Sequence, residues 1–118
     1  MILLLNKTTP KEGVTVLHMK GSIHSGPDCR RVEQEVEHVI SAKSSLVILD
    51  LTEVTHIDSS AIGSIVRCFT RVKHSGGKLC LAGCVGMIEA SIRLTRLDKV
   101  LEMFPTAAVA AEKCSSAN

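Results

Sequence analysis

The pattern of apolar and polar residues along the chain predicts alternating strands and helices. Short apolar runs bounded by Gly, Pro or polar clusters are typical of strands, and apolar residues spaced three and four apart are typical of helices. We predict strands at Ile2–Leu5 and Val14–Lys20, with a polar turn at Lys7–Gly13 between them. A loop over residues 21–27, with two glycines, two serines and a proline, then leads into the first helix.

The first predicted helix, Asp28–Ala42, has one apolar face. Its apolar residues recur at helical spacing: Val32, Val36, Val39 and Ile40. The opposite face is polar, and we expect it to be exposed to solvent: it carries Arg30, Glu33, Glu37 and His38. A helix of this type packs one side on a sheet and leaves the other in water.

The most apolar run, Leu46–Leu51, follows this helix and predicts a strand in the interior of a sheet. Five of its six residues are apolar and do not alternate with polar ones, which is typical of a strand covered on both faces. Residues 52–57 are predicted to connect it to a second amphipathic helix over about Ser59–His74. Gly76 and Gly77 end that helix, since Gly is favoured just past a helix terminus.

The remaining elements are a strand at Lys78–Ala82, a helix at Met87–Thr95, a strand at Val100–Phe104 and a helix from Pro105 to about Lys113. The predicted order is β-β-α-β-α-β-α-β-α. Such alternation is typical of an α/β fold with a mixed sheet covered by about four helices. Residues 1–113 form a single domain in this prediction, and residues 114–118 a flexible tail.

Composition and charge argue against several classes of function. The net charge of +2 is nearly balanced, and only Phe69 and Phe104 are aromatic, so we expect no binding to nucleic acid. No apolar stretch approaches the roughly 18 residues of a membrane span, and we expect no membrane insertion. The five cysteines show no paired spacing. They predict free, mostly buried thiols in a cytoplasmic protein.

Residues for catalysis or cofactor binding are lacking in the sequence. The run Gly76-Gly77-Lys78 resembles the end of a phosphate-binding loop, but Val72 and Leu79 stand where Gly and Ser or Thr are needed. Cys80 and Cys84 have no second ligand pair, so we expect no metal. The five histidines are scattered. We therefore predict that the protein is not an enzyme and binds no cofactor.

The start of the second amphipathic helix is the most informative segment. Asp58 and Ser59 are both good N-caps, because each side chain can accept a free N–H of the first turn. Ser60, Ala61 and Gly63 are small and would let the helix start pack closely on the sheet. The same N–H groups and the helix dipole favour an anion. A phosphoserine here would change the surface without straining the fold.

The stretch Leu46–Gly63 resembles the signature of STAS domains, in particular of the anti-sigma factor antagonists of sporulation and stress responses. That pattern is a hydrophobic strand ending in Asp-Leu, a short connector, and then Asp-Ser-Ser followed by small and aliphatic residues. Gly21, Gly76-Gly77 and the approach to the last helix over Leu97–Phe104 agree with it. Ala61 differs from the Gly of many members, and Gly83–Gly86 lacks a proline often found after the fourth strand.

The resemblance implies a protein-binding switch. Ser59 is the implied phosphoacceptor. The implied switch region, which binds the partner, consists of Asp58, Ser59, Ser60, Ala61 and Gly63. The first implied partner is a serine kinase that also acts as an anti-sigma factor. The unphosphorylated protein binds this kinase, and the sigma factor is released. The second implied partner is a serine phosphatase that removes the phosphate. The alternative within the family is a STAS scaffold subunit that is never phosphorylated, of the stressosome or lipid-transport type.

Overall fold

The computed structural model describes residues 2–115, which form one mixed sheet and four α-helices. The strands are β1 (Leu4–Lys11), β2 (Val14–Ile23), β3 (Leu46–Ile57), β4 (Lys78–Ala82) and β5 (Met103–Phe104). The helices are α1 (Pro27–Ser41), α2 (Ser59–His74), α3 (Gly86–Leu94) and α4 (Ala107–Ser115), with a 3-10 turn at Leu97–Lys99. The predicted α/β class and the predicted order of strands and helices are confirmed.

The sheet has the order β1-β2-β3-β4-β5; β1 is antiparallel to β2, and the other pairs are parallel. One face packs against α1, α2 and α3 through a cluster that includes Val47, Leu49 and Leu51. The other face packs against α4 through a cluster that includes Leu46 and Ile48. Burial on both faces explains the continuous apolar run in β3. Because β2 and β3 are parallel, the segments that follow them lie at one edge.

Three strands extend beyond their predicted limits. β2 continues to Ile23, three residues into the predicted loop over residues 21–27, because these residues still pair with β3. The turn predicted at Lys7–Gly13 is mostly strand, because β1 continues to Lys11 and only residues 12 and 13 form the turn. Residues 52–57, predicted as a connector, continue β3 and pair with β2 alone, up to Ile23 opposite Ile57. The errors in β1 and β3 have the same cause: these segments are largely exposed and polar, so main-chain pairing leaves little trace in the hydrophobic pattern.

The last strand is shorter than predicted, because residues 100–102 are not part of a strand and β5 has only two residues. The last helix begins at Ala107 and continues to Ser115, two residues past the predicted end. Cys114 is 2% exposed and belongs to the core under α4, so it is not part of a tail. Residues 116–118 of the predicted tail lie outside the described residues.

Candidate functional site

Asp58 joins the end of β3 to the start of α2 and is the N-cap of that helix. Its backbone is extended (φ −109°, ψ −179°), and its Oδ1 accepts a hydrogen bond from the Ala61 N–H at 2.9 Å. The sequence left the cap open between Asp58 and Ser59. In the structure Asp58 is the N-cap, and Ser59 is the first residue of the helix.

The second carboxylate oxygen of Asp58 holds the loop between β2 and α1. Oδ2 accepts a hydrogen bond from the Ser25 N–H at 3.0 Å, and Nδ1 of His24 lies 3.9 Å from it. The bond from the Ala61 amide, followed by the Ser25 amide and the nearby His24, lowers the pKa of the Asp58 carboxyl. No local pattern in the sequence indicates this loop contact, because the two segments lie 33 residues apart.

The serines at the start of α2 differ sharply in accessibility. Ser59 and Ser60 are exposed, and neither hydroxyl has a hydrogen-bond partner among the described residues. Ser64 is 1% exposed; its hydroxyl donates to Glu33 Oε2 at 2.7 Å and lies 3.4 Å from the carbonyl oxygen of Cys29. An enzyme that modifies serines could therefore reach Ser59 or Ser60 on the folded protein, but not Ser64.

Of the three small residues predicted to pack closely, only Ala61 does so. Ala61 is 1% exposed and belongs to the core, whereas Ser60 is exposed. A Cβ placed on Gly63 would meet only the Arg67 guanidinium at 3.6 Å, an ordinary contact. Packing on the sheet therefore explains why a small residue stands at position 61. It does not explain the small residues at positions 60 and 63, which are at least partly exposed at the helix start.

The polar face of α1 contacts α2, which the sequence analysis missed. Glu33 accepts hydrogen bonds from Ser64 and Arg67, and Glu37 accepts two from Arg71. The Arg67 contact lowers the pKa of Glu33, and the Arg71 contact lowers that of Glu37. In the sequence, the two glutamates are four residues apart, and so are the two arginines. This equal spacing puts each pair on one helix face and is the signal that indicates these ion pairs. These contacts hold α2 against α1.

A second polar cluster crosses the face of the sheet that carries α4. The His18 ring contacts Thr8 Oγ1 at 2.9 Å and Asp50 Oδ2 at 2.7 Å, while Asp50 Oδ1 accepts from the Thr52 N–H and hydroxyl. Burial opposes ionisation of Asp50, but the bonds from Thr52 and His18 outweigh it and lower the pKa. These contacts tie the three strands together where α4 no longer covers them.

Predictions about metal ligands, cysteines and membrane spans were also made from the sequence, and the structure describes each of these features over residues 2–115. Over residues 2–115 no group of three or more His, Cys, Asp or Glu side chains is placed to hold a metal ion. The five cysteines are free, and all but the half-buried Cys84 are buried, as the sequence predicted. Among the described helices, none is both long enough and apolar enough to span a bilayer.

Residues 7–110 match the STAS domain family, a stretch that covers most of the chain. The protein belongs to the STAS domain family. The predicted family is thereby confirmed, and the five-stranded sheet with its four helices agrees with the STAS fold. In this family context, the cap at Asp58 and the exposed Ser59 lie within the matched part of the STAS domain.

The STAS domain resembles proteins described as anti-sigma factor antagonists. A Thermotoga maritima protein provisionally given that name is 31% identical over 67 residues, which are 57% of this chain and 59% of that protein. The matched region thus spans less than two thirds of the relative's length.

Solved structures show the same STAS fold. An anti-sigma factor antagonist from Mycobacterium paratuberculosis superposes with a TM-score of 0.81 at 20% identity, covering 94% of this chain and 92% of that one. The Bacillus cell fate determinant SpoIIAA in its phosphorylated form gives a TM-score of 0.75 at 12% identity, covering 94% and 99%. At these identities the similarity establishes the fold alone.

Proposed function

We propose that the protein is an anti-sigma factor antagonist controlled by phosphorylation of Ser59. The unphosphorylated form binds an anti-sigma factor that is also a serine kinase, and the sigma factor is released. Phosphorylation by that kinase, with ATP, ends the interaction, and a serine phosphatase restores the binding form. The protein acts through binding in the cytoplasm and catalyses no reaction. The names of its relatives support this general role.

The observation that carries the proposal is the division of roles between Asp58 and Ser59. Asp58 caps α2, so the Ser59 hydroxyl is exposed and has no structural bond to lose among the described residues. The free N–H groups and positive dipole end of the helix tolerate a phosphate there. The fold is therefore expected to survive a modification that adds about two negative charges to its surface.

The effect on binding follows from desolvation and charge. A partner can approach the helix start closely, because Ser59 and Ser60 are exposed and small and the half-buried Gly63 has no side chain. A phosphate at Ser59 would occupy that space, and its charge would have to be stripped of water or meet a matching cation. Removing water from that charge costs free energy at an interface formed for an uncharged hydroxyl, so affinity for the partner is expected to fall steeply.

Phosphorylation of the purified protein by its serine kinase tests the proposal directly. With ATP, one phosphate should be added, and mass spectrometry of the digested protein should place it on Ser59. Ser59→Ala should abolish the reaction, while Ser60→Ala, the matched change at the neighbouring exposed hydroxyl, should retain it. A phosphate on Ser60, or no reaction with a kinase that binds the protein, would contradict the assignment and favour a scaffold subunit.

A further inference from the structure

His24 and Ser25 form part of the loop that contacts the residue preceding Ser59. The Ser25 N–H donates to Asp58 Oδ2 at 3.0 Å, and His24 Nδ1 lies 3.9 Å from the same oxygen. The His24 side chain is 57% exposed, so water and any group added to this surface can reach its ring. The loop between β2 and α1 thus places an imidazole beside Asp58, the residue directly before the proposed phosphoacceptor.

The charged and titratable groups around His24 come from three other elements. On α1, the Asp28 carboxylate accepts the His24 N–H at 3.1 Å, and the Cys29 thiol donates to the His24 carbonyl at 3.2 Å. Asp58 approaches from the start of α2, and His56 lies on β3 opposite Ser22, two residues before His24. Two carboxylates are already present, and a phosphate on Ser59 would add further negative charge to the same region.

We infer that His24 is the positive partner of a phosphate on Ser59 and makes the phosphorylated state sensitive to pH, an inference that rests on the proposed phosphorylation. In the unphosphorylated protein, the imidazole lies beside Asp58. With the phosphate present, the stronger anion competes with Asp58 for the protonated ring. His24 is therefore a positioning residue: it stabilises the modified side chain and takes no part in phosphate transfer.

The pH dependence follows from the ordinary behaviour of the two groups. A phosphoserine changes from one to two negative charges near pH 6, and a histidine ordinarily loses its positive charge near pH 6.5. Each group in its charged form favours the charged form of the other. A positively charged ring and a doubly charged phosphate thus stabilise each other, and the contact weakens when either group loses its charge.

Phosphorus NMR on the full chain, with phosphoserine incorporated at position 59 during translation, tests the inference without the kinase. The midpoint of the phosphate titration should rise by about 0.5 pH unit in His24→Gln, since the favourable positive charge is lost. His24→Lys keeps a positive charge and should hold the midpoint at or below the wild-type value. His38→Gln, the matched control, changes an exposed histidine on α1 that lies 3.7 Å from Glu35, and should leave the midpoint unchanged.

A second measurement needs no variant. The ring signals of His24 at pH 6.5 should differ between the protein with Ser59 and the protein with phosphoserine 59, while those of His38 should not. Equal phosphate midpoints in the wild type and His24→Gln, or unchanged His24 ring signals, would overturn the inference. Because the phosphate is incorporated in translation, failure of the kinase to modify Ser59 would count against the proposed function alone.

Discussion

At the scale of single residues, Asp58 uses its two carboxylate oxygens for two tasks. One oxygen caps α2 through the Ala61 N–H, and the other holds the loop at Ser25. Ser59 carries neither contact. Changes at Ser59 should therefore act on binding, and changes at Asp58 should act on stability.

Substitutions of Ser59 separate the switch from the fold. Ser59→Asp adds a negative charge where the helix dipole favours one, and stability should change by less than about 1 kcal/mol. Affinity for the proposed partner kinase should nevertheless fall sharply. Ser59→Ala should be near neutral in stability, because Asp58 is the cap, and should still bind. Thermal melts and calorimetric titrations measure both; a Ser59→Asp protein that binds as tightly as the wild type would contradict the charge mechanism.

Substitutions of Asp58 test the cap. Asp58→Ala should lower the free energy of unfolding by about 1 kcal/mol, whereas Asp58→Asn, which keeps an acceptor, should cost much less. Because the folded pKa of Asp58 is lowered, its contribution is fully present above the ordinary carboxyl value of 3.8 and is lost as pH falls through the folded value. Urea titrations of the wild type and both variants at pH 7 and pH 3 measure this effect. The loss in free energy of unfolding caused by Asp58→Ala should be smaller at pH 3 than at pH 7.

The sequence alone could not decide between the two caps. Asp and Ser accept the same backbone hydrogen bonds at this position, and only the extended backbone at Asp58 distinguishes them. His24 was one histidine among five without a distinguishing neighbour. Its contact with Asp58 depends on two parallel strands ending at one edge, which local spacing does not encode.

At the scale of elements, boundaries were predicted well where glycines or caps mark them. β4 runs from Lys78 to Ala82 and α2 from Ser59 to His74, as predicted, because Gly76-Gly77 separate them and Asp58 opens the helix. β1 and the second half of β3 were misplaced, because exposed strands can pair through the main chain whatever their side chains. Hydrophobic spacing thus located the covered elements and missed the extent of the exposed ones.

Two glycines between β4 and the start of α3 provide a matched pair of variants. Both have positive φ, but a Cβ on Gly83 would lie 2.1 Å from Thr52 Oγ1 and 2.8 Å from the Thr52 backbone, whereas one on Gly86 would meet nothing within 4 Å. Gly83→Ala should cost on the order of 3 kcal/mol or more, from the clash and the strained backbone together. Gly86→Ala should cost only about 1 kcal/mol, for the backbone alone. Equal losses in denaturant unfolding would show that no close approach exists at Gly83.

At the scale of the whole molecule, aliphatic side chains and thiols fill the two layers on either side of the sheet. Phe69 and Phe104 only flank the core clusters, while four buried cysteines occupy them. Burial raises the pKa of Cys68 to about 12 and that of Cys84 to about 11. The thiols are therefore expected to behave as small apolar side chains in the folded protein.

Thiol titration checks this description of the core. At pH 8 the folded protein should react slowly with a disulfide reagent, Cys84 first because it is only half buried, and five thiols should react at once in denaturant. Cys84→Ser should remove the fastest phase of the native reaction. Fewer than five reactive thiols in denaturant without reductant would mean that some cysteines are paired.

β1 lies at the outside of the sheet, where an unprotected strand would recruit further chains and form aggregates. Pro10 has no N–H to donate, Lys7 and Lys11 place charge along the strand, and its register with β2 is irregular between Thr8 and Lys11. The strand at the opposite edge, β5, offers only two residues. Both edges of the sheet are thereby poorly suited to pairing with further strands. We expect the protein to resist fibril formation even at the high concentrations that the proposed binding of a partner, one molecule to one, would need.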